Sequence, residues 1–171
     1  MPLLIQMKNK AKKYKYICHI HTKKSLFIDI GGNWRNYLYN NLLENENIIS
    51  EILAEFENND KLGFSFPENY YKALLLFGEK LSNKNKVLMK YLLNKLFKFK
   101  YNIGSKIEFP IGNMFWARVN SIYQIFNEDL QNEIPKELGQ KDGTIMHAIE
   151  RIWLYLVKLN GYYYQKTFKH F

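Results

Sequence analysis

Two histidines, a hydroxyl and two lysines stand together near the start of the chain, at the end of a stretch that predicts a strand. His19 and His21 are two residues apart, so an extended backbone points both imidazoles to one face, which Lys23 would share. Such groups donate the hydrogen bonds that a diphosphate or phosphosugar accepts. His19, His21, Thr22, Lys23 and Lys24 are therefore the first substrate-binding candidates. The alternative is that one histidine is a hydrogen-bonded core residue.

The same histidine pair also suits a metal ion, with a carboxylate from elsewhere as third ligand. The nearest later acid is Asp29, and no second pair of His or Asp with ligand spacing follows. The single cysteine, Cys18, cannot form an internal disulfide or a cysteine-based zinc site. We therefore assign no cofactor with certainty, and a divalent cation stays the less favoured alternative.

A second group of reactive side chains lies in residues 139–151, GQKDGTIMHAIER. Asp142 falls where a helix is predicted to begin, so its carboxylate either caps that helix, which is worth roughly 1 kcal/mol, or takes a proton from a substrate hydroxyl. Glu150 follows two turns later, either in a surface pair with Arg151 or in the same cleft as Asp142. The preceding irregular stretch, residues 127–141, is the candidate functional loop and contributes Gln140 to the substrate-binding candidates.

A third group is FPIGNMFWAR, residues 109–118. Gly112 permits a close approach of the backbone to a ligand, and Trp116 offers an apolar platform of the kind on which sugars pack. Arg118 stands at the end of the predicted strand. Trp116 and Arg118 are therefore substrate-binding candidates, although core packing is the more common fate of such an apolar run.

The elements that must position these groups alternate between strands and helices. Strands are predicted over residues 14–21, 62–66, 113–119 and 162–164. Helices are predicted over residues 34–43, 48–56, 70–77, 84–97 and 121–126, and a last helix, capped by Asp142 or Thr144, ends at Leu159. Asn33 is predicted as the N-cap of the first helix, after a Gly31-Gly32 loop. This alternation predicts an α/β fold, a small mixed sheet flanked by helices.

Length and composition indicate one domain, residues 1–171, because 171 residues suffice for a single core. The 16% aromatic content excludes a disordered chain. Uncharged apolar runs such as Ala73–Phe77 are far shorter than the roughly 20 residues that span a bilayer, and the N-terminus lacks the pattern of a secretory signal. We therefore expect a cytoplasmic protein, with peripheral contact to the inner face of the membrane as an option.

The net charge of +9 is concentrated in two segments. Residues 1–28 contain seven lysines and residues 80–107 contain eight, and neither segment contains an acid. Together they carry +15, which leaves −6 for the rest of the chain. Such segments attract polyanions, phosphorylated small molecules or an anionic membrane surface, while a solvated lysine surface is the default interpretation.

Four blocks of the sequence resemble the rhamnan synthesis protein F family. They are HIHTKKS (19–25), WRNYLYNNLL (34–43), FPIGNMFWAR (109–118) and GQKDGTIMHAIER (139–151). The resemblance implies a GT-A-like glycosyltransferase of bacterial surface-polysaccharide synthesis (rhamnan, lipopolysaccharide or capsule). Its partners would be a nucleotide sugar and a glycan acceptor.

The resemblance also implies roles for individual residues. The strand that in GT-A enzymes ends in a metal-binding aspartate pair carries His19, His21 and Lys23 here, so cationic side chains would neutralise the leaving diphosphate in place of Mg²⁺ or Mn²⁺. Residues 109–118 would flank the acceptor site. Asp142 matches the acid at a helix start that acts as general base on the acceptor hydroxyl.

The resemblance further implies that these residues are the acceptor-side half, without the roughly one hundred residues of the nucleotide-binding half. We therefore expect a second copy or an N-terminal partner chain to cover an exposed sheet edge. The alternative function is a non-catalytic binding or partner module. A nucleic-acid binder has the least support, because only lysines with interspersed Tyr and Phe favour it and no motif does.

Overall fold

The computed structural model describes residues 2–22, 30–78, 81–127, 129–134 and 142–167. The helices in these ranges are α1 (Pro2–Gln6), α2 (Lys8–Ala11), α3 (Gly31–Leu43), α4 (Glu46–Asn58), α5 (Tyr71–Phe77), α6 (Asn83–Phe97), α7 (Gln124–Asn127) and α8 (Ile145–Leu159). The strands are β1 (Tyr16–His19), β2 (Leu62–Pro67), β3 (Phe115–Arg118) and β4 (Tyr163–Thr167). Two 3-10 turns, Val119–Ser121 and Gln131–Glu133, lie on either side of α7.

The four strands form one mixed sheet in the order β1-β3-β2-β4. β3 is antiparallel to both β1 and β2, whereas β4 runs parallel to β2 at the edge. The register pairs His19 with Phe115 and Tyr16 with Arg118. The predicted α/β class, with a small mixed sheet flanked by helices, is confirmed.

The two faces of the sheet pack against different helices. Phe115 and Ala117 of β3 face the large core, where the Phe115 and Trp153 rings lie 5.1 Å apart. Trp116 belongs to the opposite face and packs against a smaller cluster centred on Phe56 of α4. Because successive strand residues alternate between faces, side chains at 115 and 117 are separated by the sheet from those at 116 and 118.

The large core is built mainly by α8, which packs along α6. Apolar residues recur at helical spacing on the buried side of α8: Ile145, Ala148, Ile149, Ile152, Trp153, Leu154, Leu156 and Val157. This stripe is the one that the sequence predicts, and it holds α8 against the sheet. The N-terminal end of α8 is thereby placed beside the turn that precedes β3.

Two local predictions are wrong. Gly31 and Gly32 form the first turn of α3 rather than a loop, and Asn33 lies inside the helix instead of capping it. The helical bonding begins at Ile30, whose carbonyl accepts from the Trp34 N–H at 2.9 Å. The helix predicted over residues 121–126 is divided, because a 3-10 turn ends at Ser121 before α7 begins at Gln124.

None of the helices among the described residues combines the length and the apolar character that a membrane span requires.

Candidate functional site

The end of β1, the turn before β3 and the first half of α8 meet at Gly112 and Asn113. The ring Nδ1 of His19 donates to the carbonyl of Asn113 at 2.7 Å, and Nε2 of His21 donates to the carbonyl of Gly112 at 2.7 Å. From α8, Nε1 of Trp153 donates to Oδ1 of Asn113 at 2.8 Å. Two histidines on one face, as predicted, therefore anchor two consecutive carbonyls of one turn.

Only glycine fits at position 112. Its φ is +96°, and a Cβ there would lie 2.8 Å from Cδ1 of Leu38 and 2.9 Å from Cζ2 of Trp34. The close approach that the sequence suggested for a ligand is thus made to side chains of α3. The turn is held between α3 and β1, so the backbone of the site at Gly112 and Asn113 is fixed in place.

His19 is a neutral side chain at neutral pH. It is buried, it stacks on Phe115 with ring centroids 5.2 Å apart, and burial lowers its pKa to about 4 despite the bond to the Asn113 carbonyl. A neutral imidazole cannot supply the positive charge that the resemblance implies at a diphosphate. The structure therefore supports a positioning role for His19.

We predict that His19 makes the protein less stable as the pH falls. The ordinary pKa of 6.5 applies to the unfolded chain and about 4 to the folded one, so between these values only the unfolded chain binds the proton. Acidification then lowers the free energy of unfolding by up to about 3 kcal/mol. Urea unfolding from neutral pH to about pH 4 measures this loss.

The matched variant is His19→Asn, whose amide retains a donor toward the Asn113 carbonyl. We expect this variant to lose the histidine's share of the pH dependence while the carboxyl groups keep theirs. Identical pH dependence in both proteins would contradict the assignment.

Helix α3 also holds the backbone that follows His19. The Tyr39 hydroxyl donates to the carbonyl of His21 at 2.8 Å, and Nη1 of Arg35 lies 3.5 Å from the carbonyl of Thr22. Thr22 is exposed at the end of this described segment. Lys23 and Lys24 lie outside the described residues, so their expected role stays a prediction.

Asp142 does not cap α8. The N-cap of α8 is Thr144, without a side-chain capping bond, whereas the Asp142 carboxylate reaches the start of α6. There Oδ1 accepts from Nδ2 of Asn85 at 2.7 Å, and Oδ2 accepts from the hydroxyl of Ser82 at 3.1 Å. Ser82 is itself the N-cap of α6, so the aspartate lies at a helix N-terminus that favours its charge.

The pKa of Asp142 lies below its ordinary value. Burial acts to raise this pKa, but the Asn85 bond, the charge of Arg151, the backbone N–H of Gly143 and the Ser82 bond together outweigh it. The carboxylate is therefore ionised at neutral pH.

Arg151 joins the two carboxylates of this region. Its Nη2 lies 3.4 Å from Oδ1 of Asp142, and its Nη1 lies 4.0 Å from Oε2 of Glu150. The guanidinium also stands 5.0 Å from the centre of the Phe109 ring. The side chains of Asp142, Glu150 and Arg151 are 43%, 23% and 15% exposed, so Arg151 is not a surface residue.

Glu150 has the opposite electrostatic environment from Asp142. Burial raises the pKa of Glu150, and this outweighs the charge of Arg151 and the hydrogen bond that the glutamate accepts from the Gly112 N–H. One carboxylate is thus held ionised and the other is pushed toward its protonated form, with one guanidinium between them. Such divergence is typical of sites that exchange protons.

Trp116 and Arg118 lie on the other face of the sheet. Nε1 of Trp116 donates to the carbonyl of Leu42 at 3.2 Å. Arg118 is 6% exposed, and its guanidinium donates to backbone carbonyls of the α4 end and β2. These contacts support structural roles, so substrate binding by either residue stays a prediction. Gln140 lies outside the described residues.

The sequence did not indicate the parts that Asn113, Arg151, Ser82 and Asn85 play. The Gly-Asn pair was a usable signal, because both residue types tolerate positive φ in turns, and Asn113 has φ +54°. Asp142 is separated in sequence from Ser82 by 60 residues and from Asn85 by 57. No local sequence pattern indicates contacts over such separations.

The residues that the structure describes do not fit a metal centre. Within them, no three or more His, Cys, Asp or Glu side chains gather closely enough to hold an ion. We therefore derive no step through Mg²⁺, Mn²⁺ or zinc.

Comparison with known proteins points to one family. The family model described as rhamnan synthesis protein F matches residues 1–162. Two proteins from two strains of Xanthomonas campestris pv. campestris, both called uncharacterized protein WxcX, are 31% identical over 136 residues, which is 79% of this chain and 19% of each relative. The chain thus spans about a fifth of the length of these curated relatives. No solved structure matches.

Proposed function

The chain belongs to the rhamnan synthesis protein F family, a family named for polysaccharide synthesis, and on that premise we propose that it forms the acceptor side of a glycosyltransferase. The proposed reaction transfers a sugar from a nucleotide donor to a hydroxyl of a growing bacterial surface glycan. Its GT-A likeness and its place in the cytoplasm belong to the same proposal.

The observation that carries the proposal is the arrangement of Asp142, Arg151 and Glu150 beside the turn that the two histidines anchor. Asp142 is ionised and 43% exposed, so an acceptor hydroxyl has access to it. Arg151 brings a permanent positive charge to the same place. A base next to a cation is the combination that sugar transfer to a hydroxyl requires.

In the proposed step the acceptor oxygen forms a bond to the anomeric carbon of the donor sugar. The bond from that carbon to the diphosphate oxygen breaks, and its electron pair leaves with the diphosphate. The hydroxyl proton passes to the Asp142 carboxylate. Arg151, together with the segment from His21 to Lys24, stabilises the negative charge on the diphosphate.

The direct test is a titration of the protein with dTDP- and UDP-sugars, followed by thermal unfolding. A ligand at about 100 times its Kd stabilises the folded state by about 2.7 kcal/mol, which raises the Tm of a chain of this size by roughly 5–10 °C. We expect such a rise with one of these donors and a smaller one with the free nucleotide. The absence of any shift at millimolar ligand would contradict donor binding by this chain.

The second candidate is the non-catalytic partner module. It is favoured by the neutral His19 and by the fact that the chain matches only a fifth of its relatives' length. A partner module would leave the Tm unchanged with every sugar nucleotide. It would instead be stabilised by a second copy or by an N-terminal partner chain, which size-exclusion chromatography of the mixture would detect.

A further inference from the structure

The two lysine-rich segments occupy neighbouring parts of the protein surface. Helix α2 packs against α7, which in turn contacts α6. Helix α1 contacts the 3-10 turn Gln131–Glu133, and Glu133 of this turn forms an ion pair with Lys95 of α6. Segments separated by some seventy positions in sequence are therefore brought next to each other through α7 and this turn.

Large apolar side chains are exposed between these lysines. On α6 and just after it, Val87, Tyr91 and Phe99 are 66%, 47% and 60% exposed. Val87 and Tyr91 are four residues apart on the helix, so they lie on one ridge opposite the buried Met89 and Leu92. Exposed apolar groups of this size at one place indicate an interaction surface.

The lysine surface is defined by nine exposed or half-exposed lysines of the two segments, together with five exposed apolar residues. Its lysines are Lys8, Lys10, Lys12, Lys13, Lys84, Lys86, Lys90, Lys98 and Lys100, and its apolar members are Met7, Tyr14, Val87, Tyr91 and Phe99. Asp129 lies on the stretch between α7 and the 3-10 turn, where Nδ2 of Asn132 donates to its carboxylate.

We propose that this lysine surface docks the protein on an anionic lipid bilayer. Ammonium groups would lie among the lipid phosphates while the apolar side chains enter the interface beneath them. A nucleic acid uses aromatic groups for stacking on bases, which gives no role to the aliphatic Val87 or Met7.

The test is flotation with vesicles of phosphatidylcholine that contain about a third phosphatidylglycerol, compared with pure phosphatidylcholine vesicles. We expect binding only to the anionic vesicles, and weaker binding as salt rises to about 0.15 M. Binding that is equal on both vesicle types, or absent from both, would overturn the proposal. So would tighter binding of a single-stranded oligonucleotide than of the anionic vesicles, because the surface would then be a nucleic-acid site.

Three sets of substitutions locate the contact, and a fourth serves as the control. The sets are Lys86→Gln with Lys90→Gln and Lys100→Gln; Lys10→Gln with Lys12→Gln and Lys13→Gln; Val87→Ser with Tyr91→Ser and Phe99→Ser; and, as control, Lys61→Gln with Lys72→Gln and Lys158→Gln. All of these side chains lie at the surface, and circular dichroism verifies that each variant is folded.

Each lysine set on the proposed surface should weaken vesicle partitioning by at least about tenfold. The apolar set should remove the binding that persists at high salt. The control set removes equal charge elsewhere and should change partitioning by less than about twofold. If the control weakens binding as much as the other sets, only net charge matters and the proposed surface is wrong. If only one of the two lysine segments contributes, the joint surface is wrong.

Discussion

Asp142→Asn is expected to lower sugar transfer by about 10²–10⁴-fold, the contribution typical of a general base. An amide cannot accept the acceptor proton, yet it has nearly the same shape and retains an oxygen for the bond from Asn85 or Ser82. Transfer is measured as the surface polysaccharide made by cells whose own copy of the gene is deleted and replaced by the variant. Donor binding by the purified variant, measured by the Tm shift, should be retained.

Glu150→Gln is the matched control, because it amidates the second carboxyl group beside Arg151. Glu150 is less exposed than Asp142, 23% against 43%, so an acceptor hydroxyl has less access to it. We therefore expect a loss of less than about tenfold. If Asp142→Asn keeps full sugar transfer while Glu150→Gln loses most of it, the general base is Glu150 and the assignment to Asp142 is wrong.

Arg118→Met is expected to destabilise the protein by about 3–5 kcal/mol, a large part of the stability of an ordinary domain. Its Nε donates to the carbonyl of Leu62 at 3.1 Å, and its Nη2 donates to those of Phe56 and Asn59 at 2.6 and 3.1 Å. Methionine fills much of the same volume but removes all three donated bonds, and of these carbonyls that of Asn59 still accepts from the Leu62 N–H at 3.0 Å. Urea unfolding of the variant beside the wild type measures the difference.

Lys61→Met is the control for Arg118→Met. Lys61 lies in the same α4–β2 connection but is exposed, so its replacement should change stability by no more than about 0.5 kcal/mol. If Arg118→Met has normal stability but no longer binds the donor, the structural role assigned to Arg118 is wrong. That outcome would place Arg118 in substrate binding, as the sequence predicts.

Hydrophobic periodicity predicted most of the elements because it records which side of a segment is buried. The stripe along α8, the alternation in β1 and the apolar run of β3 each needed only a window of neighbouring residues. Helix starts were less predictable. Neither Asn33 nor Asp142 caps the helix near it, since the backbone bonding begins earlier at Ile30 in one case and the side chain turns to α6 in the other.

The sequence by itself determined the α/β class, the family and the shared face of His19 and His21. The tertiary structure decided which face carries the carboxylates, the neutral state of His19, and the contact of Asp142 with Asn85. These properties depend on desolvation and on hydrogen bonds between segments some sixty positions apart. Periodicity describes local burial, whereas the charge state of a side chain is set by everything that packs around it.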